Sequence, residues 1–343
     1  MLLASGRGAL EQALDVSQLD SQHQLGDPEL ASDLQRFGRG AAILTAKPAA
    51  MDRWLGVPSS ITSRPDLEGM VAVLSPQSSD LGLDAVVRFR QSVIPRAVKG
   101  SEADALLRSA GGDADALAML ADPAAVIAAG SEDPIAQWIA PIIQQSLASS
   151  DSGAAAAVIG LDDGPLLWQQ GDEGWILGTR PNRPEPNRVD ERLQELGLSA
   201  STLASDGQPL QVWTRLARQR RHGEETLQAE LAVALERQSG VSWWGETLDG
   251  LRHRADGGTL NQRILQLQQL QGGAQAPWEQ QLAMAAAPSR DHLSEWRPWE
   301  LVQGVAGRSL LPAVQGLAIA GGADQEDQPC LLYTSPSPRD GRE

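Results

Sequence analysis

The clearest pattern in the sequence is a pair of apolar runs joined by a short polar turn. Met70 to Leu74 form the first run, the turn lies around Ser78 to Gly82, and Leu83 to Phe89 form the second run. In the second run apolar residues alternate with polar ones, the period of two that marks a strand with one buried and one solvated face. The pattern predicts a β-hairpin, so the fold must contain antiparallel sheet.

Strand and helix patterns continue on both sides of this hairpin. Further strands are predicted at residues 1–5, 41–46, 154–161, 165–170, 175–179, 210–216, 241–244 and 313–320. Helices are predicted at residues 8–16, from Asp27 onward, and at 48–55, 102–109, 113–120, 134–147, 189–196, 224–238 and 296–305, while residues 259–270 are ambiguous. The helix at 189–196 is expected to stop at Gly197, since glycine tolerates the left-handed conformation that follows many helix ends.

These elements predict an α+β fold made of two related units, each an antiparallel sheet with helices packed on one face. The first unit comprises residues 1–95, a helical connector residues 96–150, and the second unit residues 151–329. The units resemble each other weakly as an internal repeat: the strand-to-helix turn after Leu2 resembles the one after Ile176. In the late hairpin strand, Val71 and Val73 are expected to correspond to Leu317 and Ile319.

Residues 330–343 are expected to be foreign to the protein. From Cys330 onward, eleven residues resemble the translation of a transposase adapter used in DNA library preparation, and such segments are excluded from fold reasoning. They are expected to contribute no native core packing, although Leu331 to Tyr333 can lie along the sheet edge near Leu317. Both ends are predicted to be truncated, so that residues 1–329 alone should aggregate or melt well below the full-length protein.

The charge balance argues against nucleic acid as a main partner. The chain has 28 Lys and Arg residues against 44 Asp and Glu residues, a formal net charge of −16, whereas phosphate binding needs clustered cations. The densest basic run, Arg215 to Arg221, is soon followed by Glu224 and Glu225 and is interpreted as a solvated face or linker. No stretch reaches the roughly 18 apolar residues of a membrane span.

No motif for catalysis, a metal or a cofactor is recognisable. The four histidines include no pair three or four residues apart, the spacing that places two ligands on one helix face. Gly6-Arg7-Gly8 faintly resembles a dinucleotide loop, but Glu11 stands at the third glycine position and would repel a pyrophosphate. Two carboxylate pairs, Asp162-Asp163 and Glu224-Glu225, are interpreted as turn or surface residues. No catalytic residue, metal ligand or cofactor is therefore assigned.

Tryptophan is the one unusual component. The chain has ten Trp but only two Phe. Trp243 and Trp244 are neighbours on one predicted strand and must point to opposite faces, whereas Trp296 and Trp299 share one side of a predicted helix. Core packing is the first interpretation. The alternative is that these four residues form an interaction surface for a partner, a lipid or a glycan.

Four segments resemble a family known mainly from cyanobacteria and catalogued as domain of unknown function 3352. They are Leu2 to Gln18 (LLASGRGALEQALDVSQ), Gly174 to Thr179 (GWILGT), Leu210 to Leu216 (LQVWTRL) and Trp296 to Leu311 (WRPWELVQGVAGRSLL). The resemblance would cover residues 2–329. It implies a longer parent with an N-terminal membrane anchor, a periplasmic or thylakoid-associated location, and no assigned catalytic residues.

The leading functional expectation is a non-enzymatic binding or scaffold domain of a membrane-anchored envelope or thylakoid-associated protein. Its partner would be a protein or another envelope component, with the membrane reached only through the missing anchor. The alternative is a hydrolase whose carboxylates converge only in three dimensions. A cleft lined by two or more carboxyl groups of raised pKa would favour the hydrolase, and a flat or Trp-lined surface would favour binding.

Overall fold

The computed structural model describes most of the chain from residue 40 to residue 336. The described residues are 7, 8, 11, 31, 32, 40–55, 57–77, 80–91, 100–128, 133, 136, 137, 139–141, 143, 144, 153–205, 208–221, 224–254, 258–271, 278–323 and 329–336. The strand expected at 1–5, most of the helix expected at 8–16, and the helix expected from Asp27 lie outside this range.

The described part of the chain contains thirteen strands, which form a single antiparallel sheet. The strands are β1 (Ala42–Ala46), β2 (Leu67–Gln77), β3 (Asp80–Phe89), β4 (Ala116–Leu120), β5 (Leu166–Gly171), β6 (Gly174–Thr179), β7 (Ser199–Ser205), β8 (Gln208–Arg221), β9 (Glu224–Gln238), β10 (Val241–Gly245), β11 (Trp278–Ala285), β12 (Gly316–Ala323) and β13 (Pro329–Pro336). Their order across the sheet is β1-β2-β3-β13-β12-β11-β4-β5-β6-β10-β9-β8-β7. The hairpin predicted from the alternating runs is confirmed as β2 and β3.

Helices connect the strands and cover the sheet. The helices are α1 (Pro48–Leu55), α2 (Ser59–Thr62), α3 (Gly100–Ser109), α4 (Pro123–Ile127), α5 (Ala154–Leu161), α6 (Pro186–Glu195), α7 (Leu248–His253), α8 (Leu260–Gln271), α9 (Ala286–Glu295) and α10 (Arg297–Ala306). Helix α6 ends at Glu195, and Gly197 follows it in the predicted left-handed conformation with a φ of +78°. The α+β class is confirmed.

The helices lie against both faces of the sheet, so the prediction of helices on one face is wrong. A first core cluster joins one face to α1, α2, α4, α5, α6, α9 and α10, through residues such as Met51, Val158 and Leu193. A second core cluster joins the other face to α3, α7 and α8, through Leu106 and Leu251. Strands covered on both sides need apolar residues at every position, and all five residues of β4 are buried.

The predicted helical connector, residues 96–150, also differs from expectation. It contributes α3 and α4, but the helix predicted at 113–120 is wrong because Ala116–Leu120 forms β4 at the centre of the sheet, paired with β11 and β5. The two predicted units therefore share one continuous sheet. A short apolar run without alternation is compatible with a buried strand or a buried helix, and periodicity alone does not separate them.

Two further segments exchange their predicted types. Residues 154–161 form helix α5, preceded by Gly153 with a φ of +63°, instead of a strand. Residues 224–238 form strand β9 instead of a helix, because they pair with β8 along most of their length. Hairpin pairing with β8 and β10 overrides the good helix propensity of Glu, Leu and Ala in this segment.

Strands β1, β2 and β3 form one set of three neighbours in the sheet, and β11, β12 and β13 form the next. Their order across the sheet is mirrored about the boundary between β3 and β13. Each set runs along the chain as a strand, two helices and a hairpin. The residue correspondence expected between them is wrong, however. Leu317 and Ile319 lie in the first core cluster together with Met70 and Ala72, so Val71 and Val73 point to the opposite face. The internal repeat itself stays a prediction.

Strand β13, which begins the segment expected to be foreign, lies between two other strands. Tyr333 is opposite Ile319 on β12 and opposite Leu83 on β3. The expected placement of Leu331 to Tyr333 beside β12 is confirmed for the backbone. The second ladder, to β3, was not expected. The segment lies between β12 and β3 instead of along an open edge of the sheet. The adapter origin of these residues stays a prediction.

Candidate functional site

The four tryptophans proposed as an interaction surface are mostly in the core. The exposed fraction is 0% for Trp243, 1% for Trp244 and 5% for Trp299, which removes these three from any exposed surface. Trp296 is half-buried against the first core cluster. Trp243 and Trp244 do point to opposite faces, since they belong to different core clusters, but both faces are covered by helices.

On the second face Trp243 carries a buried arginine. The guanidinium carbon of Arg254 lies 4.3 Å from the centre of the Trp243 ring, a cation–π contact that gains strength when water is excluded. Arg254 also donates to Glu236 Oε2 at 2.8 Å and Gln238 Oε1 at 2.7 Å. Burial lowers the pKa of Arg254, and the Glu236 carboxylate opposes that shift. Thr247 is the N-cap of the neighbouring helix α7, and its hydroxyl accepts a hydrogen bond from the Gly250 amide at 3.0 Å.

Beside this arginine lies a polar cleft of about 410 Å³. Its walls are the β5–β6 turn (Gly171 to Gly174), the loop at Gly112 and Asp113, and the end of α7 at His253 and Arg254. The turn requires glycine at position 174, where φ is +94° and a Cβ would overlap the Glu246 carboxylate. The volume falls in the range of small-molecule sites.

The inner end of the cleft is formed by Gln169 on β5, which is 2% exposed. Its amide nitrogen donates to the carbonyl oxygens of Gly111 at 3.1 Å and Asp113 at 3.0 Å. Its Oε1 is buried and makes no hydrogen bond with the described part of the protein. Sequence reasoning missed this residue, and the only signal for it is the pair Gln169-Gln170 at the end of an otherwise apolar strand.

The carboxyl groups with raised pKa values do not share a cleft. Burial raises the pKa of Asp84 on β3. Burial also raises the pKa of Asp162 to about 6, against the hydrogen bond from the Gly164 amide. Asp162 lies between α5 and β5, and β5 lies five strands from β3, or about 24 Å at about 4.8 Å per strand. The condition set for the hydrolase is therefore not met by these two carboxyls.

Substitution of Asp162 with asparagine is expected to stabilise the protein at neutral pH. The native pKa of about 6 lies above the ordinary value of 3.8, so the native state binds the proton more tightly, and the group's contribution to stability falls as pH rises from about 4 through 6. The asparagine amide would stay neutral and could still accept from the Gly164 amide. The free energy of unfolding, from urea titrations, should exceed that of the original protein by about 2 kcal/mol at neutral pH, and the difference should shrink towards acid pH.

Asp163→Asn is the matched control for this prediction. The Asp163 side chain is 47% exposed and pairs with Arg180 at 2.7 Å. Its substitution should not reproduce the gain at neutral pH. A difference for Asp162→Asn that stays constant between about pH 4 and 7 would show that the carboxyl is not held protonated by burial.

Strands β8 and β9 extend beyond the rest of the sheet as a two-stranded arm, which comprises residues 215–221 and 224–230. The pairing of β7 with β8 ends at Thr214, and that of β10 with β9 ends at Ala234, so the arm strands pair only with each other. At about 3.3 Å per residue, the arm is about 23 Å long. Arg215 pairs with Glu230 at 2.8 Å, which agrees with the predicted solvated charge run.

The arm also exposes two leucines. Leu216 is 73% and Leu227 is 67% exposed. Leu216 lies opposite Ala229, and Leu227 lies opposite Arg218, so all four side chains share one face of the arm. Arg215 and Glu230 lie on the other face. The leucine face thus combines two large apolar side chains with Arg218, and the register places Arg220 and Glu225 on the same face nearer the tip of the arm.

The two histidines that the structure describes lie on opposite sides of the sheet, since α7 belongs to the second core cluster and α9 to the first. His253 is exposed at the mouth of the cleft, and burial lowers the pKa of His292 on α9 to about 4. His23 and His222 lie outside the described residues. Across the described ranges, no three His, Cys, Asp or Glu side chains are placed to hold a metal ion. Among the same residues, no helix has the length and apolarity needed to cross a bilayer.

Comparison with known proteins places the chain in a family. A comparison with curated protein sequences found no significant match. The solved structure titled "Structure of crystal form I of TP0453" has 9% sequence identity and a TM-score of 0.35, over 69% of this chain and 80% of that one, a level of likeness that carries no argument. The family model described as protein of unknown function, DUF3352, matches residues 1–328. The chain therefore belongs to the DUF3352 family.

Proposed function

We propose that this chain is a non-enzymatic binding or scaffold domain that uses its β8–β9 arm to hold a protein partner. The observation that carries the proposal is the exposure of Leu216 and Leu227 on one face of the arm. Membrane anchoring of the parent protein, an envelope or thylakoid-associated location and a cyanobacterial source belong to the same proposal. They rest on the family resemblance.

The arm has the physical properties of a contact surface. An isolated two-stranded ribbon is marginally stable in water, and full burial of each leucine would contribute about 1.5–3 kcal/mol. A partner that covers the leucine face would therefore stabilise the arm and gain affinity from the same two side chains. Arg218 on that face adds a charged group that favours a partner with a carboxylate at the edge of its apolar patch.

Site-specific photocrosslinking tests this proposal in the intact protein in its native cells. A photoreactive residue at position 216 should yield one discrete crosslinked protein, because the arm would hold a defined partner. Leu265 on α8 is the matched control, since it is also exposed, at 57%, but lies outside the arm. Equal yields and identical products from positions 216 and 265 would contradict a specific role for the arm.

The paired substitution Leu216→Ser and Leu227→Ser should abolish that crosslinked product while the melting temperature stays within a few degrees of the original. Both side chains are already exposed in the free chain, so their removal creates no cavity. With the partner identified, its dissociation constant should rise about 100-fold, from the loss of about 3 kcal/mol of apolar burial. An unchanged affinity would exclude the leucine face as the contact.

The alternative, a hydrolase, has one observation in its favour: the pKa of Asp162 is raised to about 6, the range of a general acid at neutral pH. Asp162 is only 1% exposed, however, and a catalytic acid must reach its substrate. If the hydrolase proposal were correct, a hydrolytic activity found with model esters, peptides or glycosides would be lost in Asp162→Asn and retained in Asp163→Asn.

A further inference from the structure

Strand β7, at one end of the sheet, has an edge that no strand of the described part of the chain covers. It is the last strand in the order across the sheet and pairs only with β8. Residues 199–204 are all exposed. About half of the backbone N–H and C=O groups of such a strand point away from its partner. These groups form an unpaired row to which a further strand can bind.

The sequence of β7 lacks the features by which proteins usually protect a sheet edge, namely charged side chains, proline and bulges. It reads SASTLAS, with no charged residue and no proline. Its register with β8 runs from Ser199 to Ser205 without a shift. The side chains are small except for Leu203, which is 42% exposed. An incoming strand therefore meets no bulky or like-charged group along this edge, and it would cover Leu203.

A groove of about 330 Å³ connects this edge to an exposed arginine. The residues that line it come from three neighbouring strands: Ala200, Ser201 and Thr202 on β7, Pro209 and Gln211 on β8, and Arg237 on β9. No carboxylate lines the groove. The Arg237 side chain is exposed and makes no ion pair or hydrogen bond with another described residue. The groove therefore has a positive charge at one end that attracts a carboxylate.

We propose that the β7 edge binds an extended segment of another protein as an added strand, with an acidic residue of that segment paired to Arg237. Main-chain hydrogen bonds to the open edge supply the affinity, and the groove selects the side chains on one face of the segment. Because β7 itself carries no carboxylate, a second copy joined through its own β7 would leave Arg237 unpaired. The inference does not depend on the arm, since other residues form the edge and the groove.

Selection from a library of random short peptides displayed on phage tests the proposal on the full chain. The enriched peptides should share an acidic residue flanked by β-branched residues and should lack proline. Arg237→Glu should exchange that acidic residue for a basic one, because it reverses the charge in the groove. Arg308→Glu is the matched control and should leave the selected sequences unchanged, since Arg308 is also exposed but lies outside the groove.

A selected peptide, titrated by fluorescence anisotropy, then tests the ion pair and the ladder separately. Arg237→Gln should weaken its binding about two- to fivefold, as expected for an exposed ion pair, and added salt should reduce that difference. Binding should slow amide hydrogen exchange within residues 199–205. N-methylation of alternate peptide residues removes the amide donors from one edge of the peptide. Only one of the two alternating patterns should abolish binding, because only one edge of the peptide faces β7.

The paired substitution Leu216→Ser and Leu227→Ser should leave peptide binding unchanged, which separates this inference from the role of the arm. Four results would overturn the proposal: no enrichment of any peptide, selection of the same peptides by Arg237→Glu, equal binding of both N-methylated peptides, or protection of the β7 amides in a dimer of the chain without peptide. A dimer of that kind would show that a second copy occupies the edge.

Discussion

Substitution of Trp244 with alanine is expected to lower the free energy of unfolding by about 3–5 kcal/mol. The side chain is 1% exposed and stacks on Trp213 with ring centres 5.7 Å apart. Its indole nitrogen donates to the Thr179 hydroxyl at 3.2 Å. Alanine would leave a cavity between the sheet and α6 and would remove a buried hydrogen bond, two losses that act together. Guanidinium titration monitored by far-UV circular dichroism measures the effect.

Trp296→Ala is the matched control for this substitution. Trp296 was assigned the same surface role from sequence, but it is half-buried at the margin of the first core cluster, so its loss should be only about 1–2 kcal/mol. Trp244→Phe separates the ring from its hydrogen bond and should be destabilising by about 1 kcal/mol through loss of that bond, because the Thr179 hydroxyl still donates to the Arg183 carbonyl. Equal losses for Trp244→Ala and Trp296→Ala would show that the core is not centred on the Trp213–Trp244 stack.

The positions of Trp243 and Trp244 in the fold show what can be predicted from local sequence patterns and what cannot. Opposite directions for Trp243 and Trp244 follow from strand geometry alone, and this prediction is confirmed. Whether both faces are buried depends on a second layer of helices. Helix α8, which covers β11, β12 and β4 on the face to which Trp243 points, corresponds to the segment 259–270 that sequence patterns left ambiguous. The mistake was therefore about packing partners, not about the strand.

Errors in element type have the same physical origin. The segments at 113–120, 154–161 and 224–238 are rich in alanine or leucine without a clean period, so helix and strand are equally compatible with their local sequence. Strand pairing decides two of these cases: β4 pairs with β11, which is distant in sequence, and β9 pairs with its neighbours along the chain, β8 and β10. By contrast, the β2–β3 hairpin and helix α6 carry local turn and cap signals and were predicted correctly.

The cleft could not be predicted from sequence because its parts converge only in the folded chain. Gln169 comes from β5, Arg254 from the end of α7, and Glu236 from β9. A glutamine in a strand is normally interpreted as a solvent-facing residue, whereas Gln169 is buried. The charged run of the arm was interpreted as solvated from its composition, although its second strand was predicted as a helix. The exposure of Leu216 and Leu227 could not be predicted, because it depends on β8 and β9 extending beyond their neighbours.

Removal of residues 329–343 is expected to disrupt the sheet, the largest effect among these predictions. Strand β13 is opposite β12 at Leu332 and Ala320 and opposite β3 at Leu332 and Asp84. Without it, β3 and β12 become two open edges in the interior of the sheet, and their unpaired amide and carbonyl groups favour association between molecules. At about 0.5–1.5 kcal/mol net per hydrogen bond, loss of both ladders exceeds about 5 kcal/mol, comparable with the whole stability of a domain.

The truncated chain 1–328 should therefore aggregate, or melt well below the chain 1–343, as measured by light scattering and differential scanning calorimetry. The chain 1–336 is the control, since it retains every residue of β13 and should match 1–343. Because the ladders use main-chain groups, the strand can act whether or not its residues are native to the protein, and Leu332→Pro should reproduce much of the loss by removing one amide donor from a central strand. A monodisperse 1–328 chain with the melting temperature of 1–343 would show that β13 does not contribute to the stability of the sheet.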